Sequence, residues 1–158
     1  MKVLSIDPGF GRTGFAVIEK NGGKETLVFS ECFVTSKNVE FSERLVAVGD
    51  QLKKIIQEYS PDHIAIEELF FKNNQKTVMQ VSEARGALLY VAASAGVPVH
   101  EYTPLQIKVA ITGYGASDKD QVAFMVKKLV DLPDKKRLDD ELDAIACGLT
   151  HLAYCKTF

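Results

Sequence analysis

Acidic side chains stand at three places where this chain could gather them. Asp7 closes the apolar run VLSI and enters the glycine turn DPGFGRTG; Glu67 closes a second apolar run, HIAI. Asp140 and Asp143 lie late in the chain, in RLDDELDAIACGLTH. Carboxylates brought together repel one another unless a cation sits between them, and hard oxygen donors of this kind favour Mg²⁺ or Mn²⁺. A pair of such ions can clamp the attacking and leaving oxygens of a phosphodiester. The chemistry these residues point to is that of a metal-dependent nuclease.

Each residue also has a plainer role to weigh. A lone Asp-Pro-Gly is often an Asx turn capping its own loop, and acids in a first helical turn are favoured by the macrodipole. Glu67 and Glu68 are adjacent, so in a strand they face opposite ways and only one of them can join Asp7. Asp140 and Asp143 share a helical face, but Asp139 and Asp143 are neighbours as well, so spacing alone does not choose between Asp139 and Asp140. Phe70 and Phe71 follow the second acid where the strand leaves the sheet. Lys72, Lys76, Arg85, Lys108 and Lys119 supply basic charge around the expected site. Lys119 opens a helix directly after GYGAS, where backbone N–H groups and a lysine suit a phosphate. His63, His100 and His151 show no ligand spacing and receive no role.

The elements that must hold these acids follow from periodicity. Residues 2–6 read as a buried strand, Gly9, Gly11 and Gly14 as a tight turn, and FAVIE as a second strand. Asn21, Gly22 and Gly23 make a hairpin turn into ETLVFSECFV. Residues 41–58 carry a helical stripe of Leu45, Val46, Val48, Leu52, Ile55 and Ile56, stopped by Ser60 and Pro61. HIAIE is a fourth strand, Lys76 to Ala95 a second helix, and VPVHEY a fifth strand. Thr103 and Pro104 are an N-cap and N1 pair for a short helix. A fourth helix over 119–130 is capped from Ser117, with Val122, Met125, Val126 and Leu129 inward. The last helix runs from about Leu138 to Tyr154 with Leu142, Ile145, Ala146, Leu149 and Leu152 as its stripe. The expected order is β-β-β-α-β-α-β-α-α-α: a mixed five-stranded sheet, its first three strands antiparallel, with helices on both faces.

At 158 residues, with 46% hydrophobic and 25% charged residues, the chain suits one soluble domain spanning 1–158. A phosphate-binding turn of the actin or sugar-kinase type would need a second, duplicated domain. The formal net charge of −2 does not announce nucleic-acid binding, although bound metal would neutralise several acids and leave the bases clustered. No apolar stretch is long enough to span a bilayer, and Asp7 interrupts the early apolar run that a signal peptide would need. Cys32, Cys147 and Cys155 lack metal-type spacing and cannot all pair, which reads as free thiols in a reducing cytoplasm.

Taken together, IDPGFGRTGFAVIE, AIEELFF, EARGALL, QIKVAITGYGASDKDQVAFMV and LDDELDAIACGLTH resemble the RuvC family of Holliday junction resolvases, within the RNase H-like superfamily. The likeness runs from Ile6 to His151, nearly the whole chain. It implies an RNase H-like fold, four acidic metal ligands at Asp7, Glu67, Asp140 and Asp143, and Mg²⁺ as cofactor, two ions per subunit, with Mn²⁺ able to substitute. It implies that Phe70 stacks on junction bases and that Lys108 and Lys119 contact phosphates. It further implies a homodimer, a RuvA–RuvB branch-migration complex as partner, and a role in homologous recombination and DNA repair. The expected reaction is paired symmetric nicking of a four-way junction, leaving 5′-phosphate and 3′-hydroxyl ends. Another RNase H-like nuclease, acting on RNA–DNA hybrid, is disfavoured by the GYGASDKDQ block and Phe70. A junction-binding protein without catalysis is disfavoured by the acids themselves, which would only weaken its hold on phosphate.

Overall fold

The computed structural model describes residues 1–69, 75–133 and 135–155, except the side chains of Gln75 and Lys76. The elements are β1 (Lys2–Asp7), β2 (Arg12–Asn21), β3 (Lys24–Val34), α1 (Phe41–Tyr59), β4 (His63–Glu67), α2 (Gln75–Ser94), β5 (Val99–Tyr102), α3 (Pro104–Thr112), α4 (Lys119–Leu129) and α5 (Asp139–Tyr154). Their order is the one periodicity predicts. The sheet runs β3-β2-β1-β4-β5: the first three strands form an antiparallel meander, and β4 and β5 add in parallel.

Strand alternation divides the core in two. Leu4, Ile6, Phe15, Val17, Ile64 and Ile66 face α1 and α2, where Val48, Leu52, Ile55, Leu88 and Val91 close over them. Val3, Ala16, Ile18 and Ala65 face α5, flanked by Ile107 and Ile111 of α3 and Val122 and Val126 of α4. Each fully buried Ile or Leu contributes about 1.5–3 kcal/mol through removal from water. Helix α5 is buried from Ala144 to Leu152, on more sides than an amphipathic stripe supplies. It lies so close to the sheet that a Cβ at Gly148 would come within 2.6 Å of Ser5 Oγ.

Several local expectations change in the structure. Gly14 is not part of the turn: β2 starts at Arg12, and Gly14 pairs with Asp7. The glycine is there because a Cβ would sit 1.8 Å from the Asp140 carbonyl oxygen of the first turn of α5. The cap of α4 is Asp118, whose side chain accepts from the Gln121 N–H, while the Ser117 hydroxyl bonds the preceding loop through Thr112 and Tyr114. Val46 is exposed because it lies about 200° around the helix from Val48. Leu129 is exposed because α4 ends there and the extended Val130 turns inward instead. The Thr103 cap forms as expected, with Gln106 completing a capping box and Pro104 beside it. Gly22 and Gly23 both take positive φ in the β2–β3 hairpin, as a two-residue turn of the favoured hand requires.

Candidate active site

Parallel pairing puts the first two acids side by side. Ile6 is in register with Ile66, so Asp7 and Glu67 occupy the next rung at the C-terminal ends of β1 and β4, on the face covered by α5. Glu68, turned the other way, lines a different cleft with Leu69, Ser82, Arg85 and Glu101. Helix α5 starts over Gly14, which brings Asp140 and Asp143 against the same strand ends. Asp139 is exposed and does not line the cleft that Asp140 enters. Asp7, Glu67, Asp140 and Asp143 line one cleft of about 320 Å³ together with Lys108, Lys119, Pro104, Ile107 and Val122.

The electrostatics of this cleft show negative charge held without enough positive charge to balance it. Burial first, and then Glu67, Asp143 and Asp140, push the Asp7 carboxyl well above its usual range. Burial and Asp143 push Glu67 up to about 7, and burial likewise raises Asp143. The opposing cation is Lys119, whose Nζ is 3.3 Å from Asp143 Oδ2 and whose own pKa is raised chiefly by that carboxylate. Hard oxygen donors from three elements, partly buried and mutually repelling, fit one or two small divalent ions. Lys108, half-buried on α3, makes no ion pair among the described residues.

Not every basic candidate reaches the cleft. Arg85 pairs with Glu101 and donates from Nε to the Glu67 carbonyl oxygen at 3.3 Å, so the structure places it behind the β4 end rather than in the cleft. Phe70 and Lys72 lie outside the described residues, as does the side chain of Lys76.

Two features escaped the sequence reading. Arg12 Nε lies 3.1 Å from Asp140 Oδ2, and Cys32 Sγ stands 3.9 Å from the same oxygen, its thiol pushed up to about 11 by burial and by Asp140. The glycine turn that precedes Arg12 is fastened from α1. Arg44 is buried, donates to the Thr35 hydroxyl at 2.9 Å and the Phe10 carbonyl at 3.0 Å, and lies 5.0 Å from the Phe10 ring centroid. An arginine directly inside DPGFGRTG was the available signal for the first feature; nothing local marked the second.

A mixed sheet of this order, with acids from its first and fourth strands and its last helix meeting at one end, defines an RNase H-like nuclease. Residues 3–151 match the family described as crossover junction endodeoxyribonuclease RuvC, and the chain belongs to that family. A relative so described from Syntrophomonas wolfei is 44% identical over 152 residues, 96% of this chain and 88% of the relative. Another, from Desulforamulus reducens, is 42% identical over 158 residues, 100% of this chain and 97% of the relative. The structure of T. thermophilus RuvC in complex with Holliday junction substrate superposes with a TM-score of 0.91 at 35% identity, covering 98% of this chain and 94% of that one. The yeast mitochondrial Holliday junction resolvase Ydc2 shares the fold, with a TM-score of 0.71 at 14% identity over 96% of this chain and 77% of that one. Family membership implies dependence on a divalent metal ion. No helix among the described residues is long and apolar enough to cross a membrane.

Proposed function

We propose that this chain resolves four-way DNA junctions by hydrolysing phosphodiesters in the cleft between β1, β4 and α5. The observation that carries this reading is the convergence of four carboxylates and two lysines from separate elements on one cleft. Asp7, Glu67, Asp140 and Asp143 would hold the metal, with Mg²⁺ the expected ion and Mn²⁺ a substitute. Bound there, divalent metal would activate a water and offset the charge that develops on the leaving 3′ oxygen. Lys119 and Lys108 hold the scissile strand against the acids by pairing with phosphate oxygens. Arg12 and Lys37 line a groove on the other side of Asp140 and extend the cationic path for the backbone. The Arg12 side chain is half exposed, so its guanidinium can turn from Asp140 to a competing phosphate.

A four-way junction has approximate two-fold symmetry. A two-fold dimer of this chain would present identical clefts to two symmetry-related strands, so paired nicks follow from assembly. The remaining proposals follow the family resemblance: Phe70 and the lysines Lys72 and Lys76 at the junction, the RuvA–RuvB complex as partner, and action in the cytoplasm.

The test is a mobile four-way junction incubated with and without Mg²⁺, with both cut positions mapped. Symmetric cuts bearing 5′-phosphate ends, dependent on Mg²⁺, are expected. Asp7→Asn, Glu67→Gln and Asp140→Asn should each abolish cutting while junction binding stays intact or tightens. Substantial cutting by any of the three would remove that residue from the metal site, and cutting of RNA–DNA hybrid in preference to the junction would overturn the reading.

A further inference from the structure

The interface between α5 and the sheet has a second end. Asp143 and His151 are eight residues apart, which places His151 ~12 Å further along α5. There it meets His63, the first residue of β4, and His100 of β5. The ring centroids lie 4.9 Å apart for His63 and His100, 5.0 Å for His63 and His151, and 4.6 Å for His100 and His151. One nitrogen from each ring can be taken so that all three lie within 4.8 Å of one another. Cys155, directly after α5, brings its Sγ to 3.9 Å from His63 Nδ1.

We propose that His63, His100 and His151, with Cys155 as fourth ligand, form a structural Zn²⁺ site at the end of the sheet remote from the carboxylates.

Three observations support it. First, His100 Nε2 is buried without a hydrogen-bond partner among the described residues. Buried polar atoms are nearly always satisfied, and a metal ion would satisfy this one. Second, the spacings suit tetrahedral coordination. With Zn–N of 2.0–2.1 Å and Zn–S of about 2.3 Å, ligand nitrogens stand ~3.3 Å apart and nitrogen and sulfur ~3.6 Å apart. His63 Nδ1 and His151 Nε2 are 2.8 Å apart and would open slightly, the remaining histidine nitrogens lie within 4.8 Å and would draw together, and Cys155, 3.9 Å from His63 Nδ1, would swing in to complete the set. Third, His151 is oriented from behind: the Tyr102 hydroxyl lies 2.9 Å from Nδ1, so an Nδ1–H donated to that oxygen leaves the Nε2 lone pair facing His63 and His100. Such an outer hydrogen bond is the usual companion of a metal-bound imidazole.

Three nitrogens and a sulfur select a borderline-soft ion over Mg²⁺, so the two ends of α5 would take different metals. A four-ligand site leaves no open position for substrate. Its effect would be mechanical, tying the parallel edge strands to the end of the last helix.

The experiment uses the full chain without a polyhistidine tag, stripped with chelator and returned to excess Mg²⁺, which keeps the carboxylate cleft supplied. Adding Zn²⁺ should give one retained equivalent and a rise in melting temperature. Co²⁺ in its place should give the intense visible bands of tetrahedral cobalt together with a near-ultraviolet thiolate charge-transfer band. Cys155→Ser should remove the charge-transfer band, and His100→Ala should weaken Zn²⁺ binding at least 10-fold. Both variants should cut junctions in Mg²⁺ as the parent does. His151 is fully buried and its replacement would confound folding with binding, so the other two positions carry the test. Absence of the cobalt bands, a charge-transfer band that survives Cys155→Ser, or Zn²⁺ binding that survives His100→Ala but is lost in Asp7→Asn would overturn the proposal.

Discussion

Glu67 shows what a carboxylate crowded by other acids costs the fold. Its folded pKa of about 7 stands above the ordinary 4.5, because burial and Asp143 both disfavour its charge. Below pH 4.5 the group is protonated in both states and contributes no pH dependence. Between these two values the folded state holds the proton more tightly, so stability falls as pH rises. Above the folded pKa the whole penalty is present, about 3 kcal/mol for this displacement. A divalent cation between the carboxylates would offset it. Metal-free Glu67→Gln should therefore be more stable than the parent at pH 8 by about 2–3 kcal/mol and nearly equal to it at pH 4.5. Mg²⁺ at pH 8 should raise the parent's urea midpoint and have less effect on the variant's. Parallel stability curves for parent and variant across this range would mean that Glu67 is not held charged against its surroundings. Asp7, raised by the same causes with all three other acids contributing, should behave likewise as Asp7→Asn.

At the scale of elements, the site depends on where α5 begins. Gly14 admits the Asp140 backbone against β2, with Ala144 Cβ 3.1 Å from where a Cβ at position 14 would stand. Gly14→Ala would put that atom 1.8 Å from a carbonyl oxygen, and neither backbone can yield without lifting the helix. Overpacking of this kind typically costs about 1–3 kcal/mol, and a contact made entirely of backbone belongs at the upper end. The variant should melt several degrees lower and lose cutting more than it loses junction binding, since Asp140 and Asp143 would be displaced from Asp7 and Glu67. Unchanged melting and cutting would show that α5 can shift freely. The same contact explains what could be read from the chain beforehand. Strands such as His63–Glu67 and the Thr103–Pro104 helix start were legible because alternation, β-branched side chains and capping chemistry are local. Asp7 and Glu67 were legible as candidates because each closes an apolar run, and Asp140 and Asp143 because they open the last helix ahead of its apolar stripe. Whether Asp139 or Asp140 faces the cleft was not, because the rotation of α5 is set by Gly14, more than a hundred residues away in sequence. Nor were the pairing of Arg12 with Asp140 and the meeting of His63, His100 and His151, which need the β4–β5 register and the far end of α5.

For the whole molecule, a net charge of −2 has to be reconciled with binding a polyanion. The structure resolves this by segregation: acids gather inside the cleft, where metal would neutralise them, and lysines stand on its walls. Each phosphate neutralised by the protein releases counterions and contributes about 0.9 to the slope of log K against log salt. The two wall lysines are not equivalent. Lys108 makes no ion pair among the described residues, whereas Lys119 is engaged by Asp143 at 3.3 Å. In metal-free buffer, where nothing is cut, Lys108→Ala should therefore lower the salt slope for junction binding by about 0.9. Lys119→Ala should lower it by less, because its ammonium is already partly neutralised by protein. Asp143→Asn should release Lys119 and raise the slope towards one further contact. Fluorescence anisotropy of a labelled junction across a salt series measures all three. Equal losses from the two lysine variants would mean that phosphate displaces Asp143 outright, and no loss from either would take both lysines out of the DNA path.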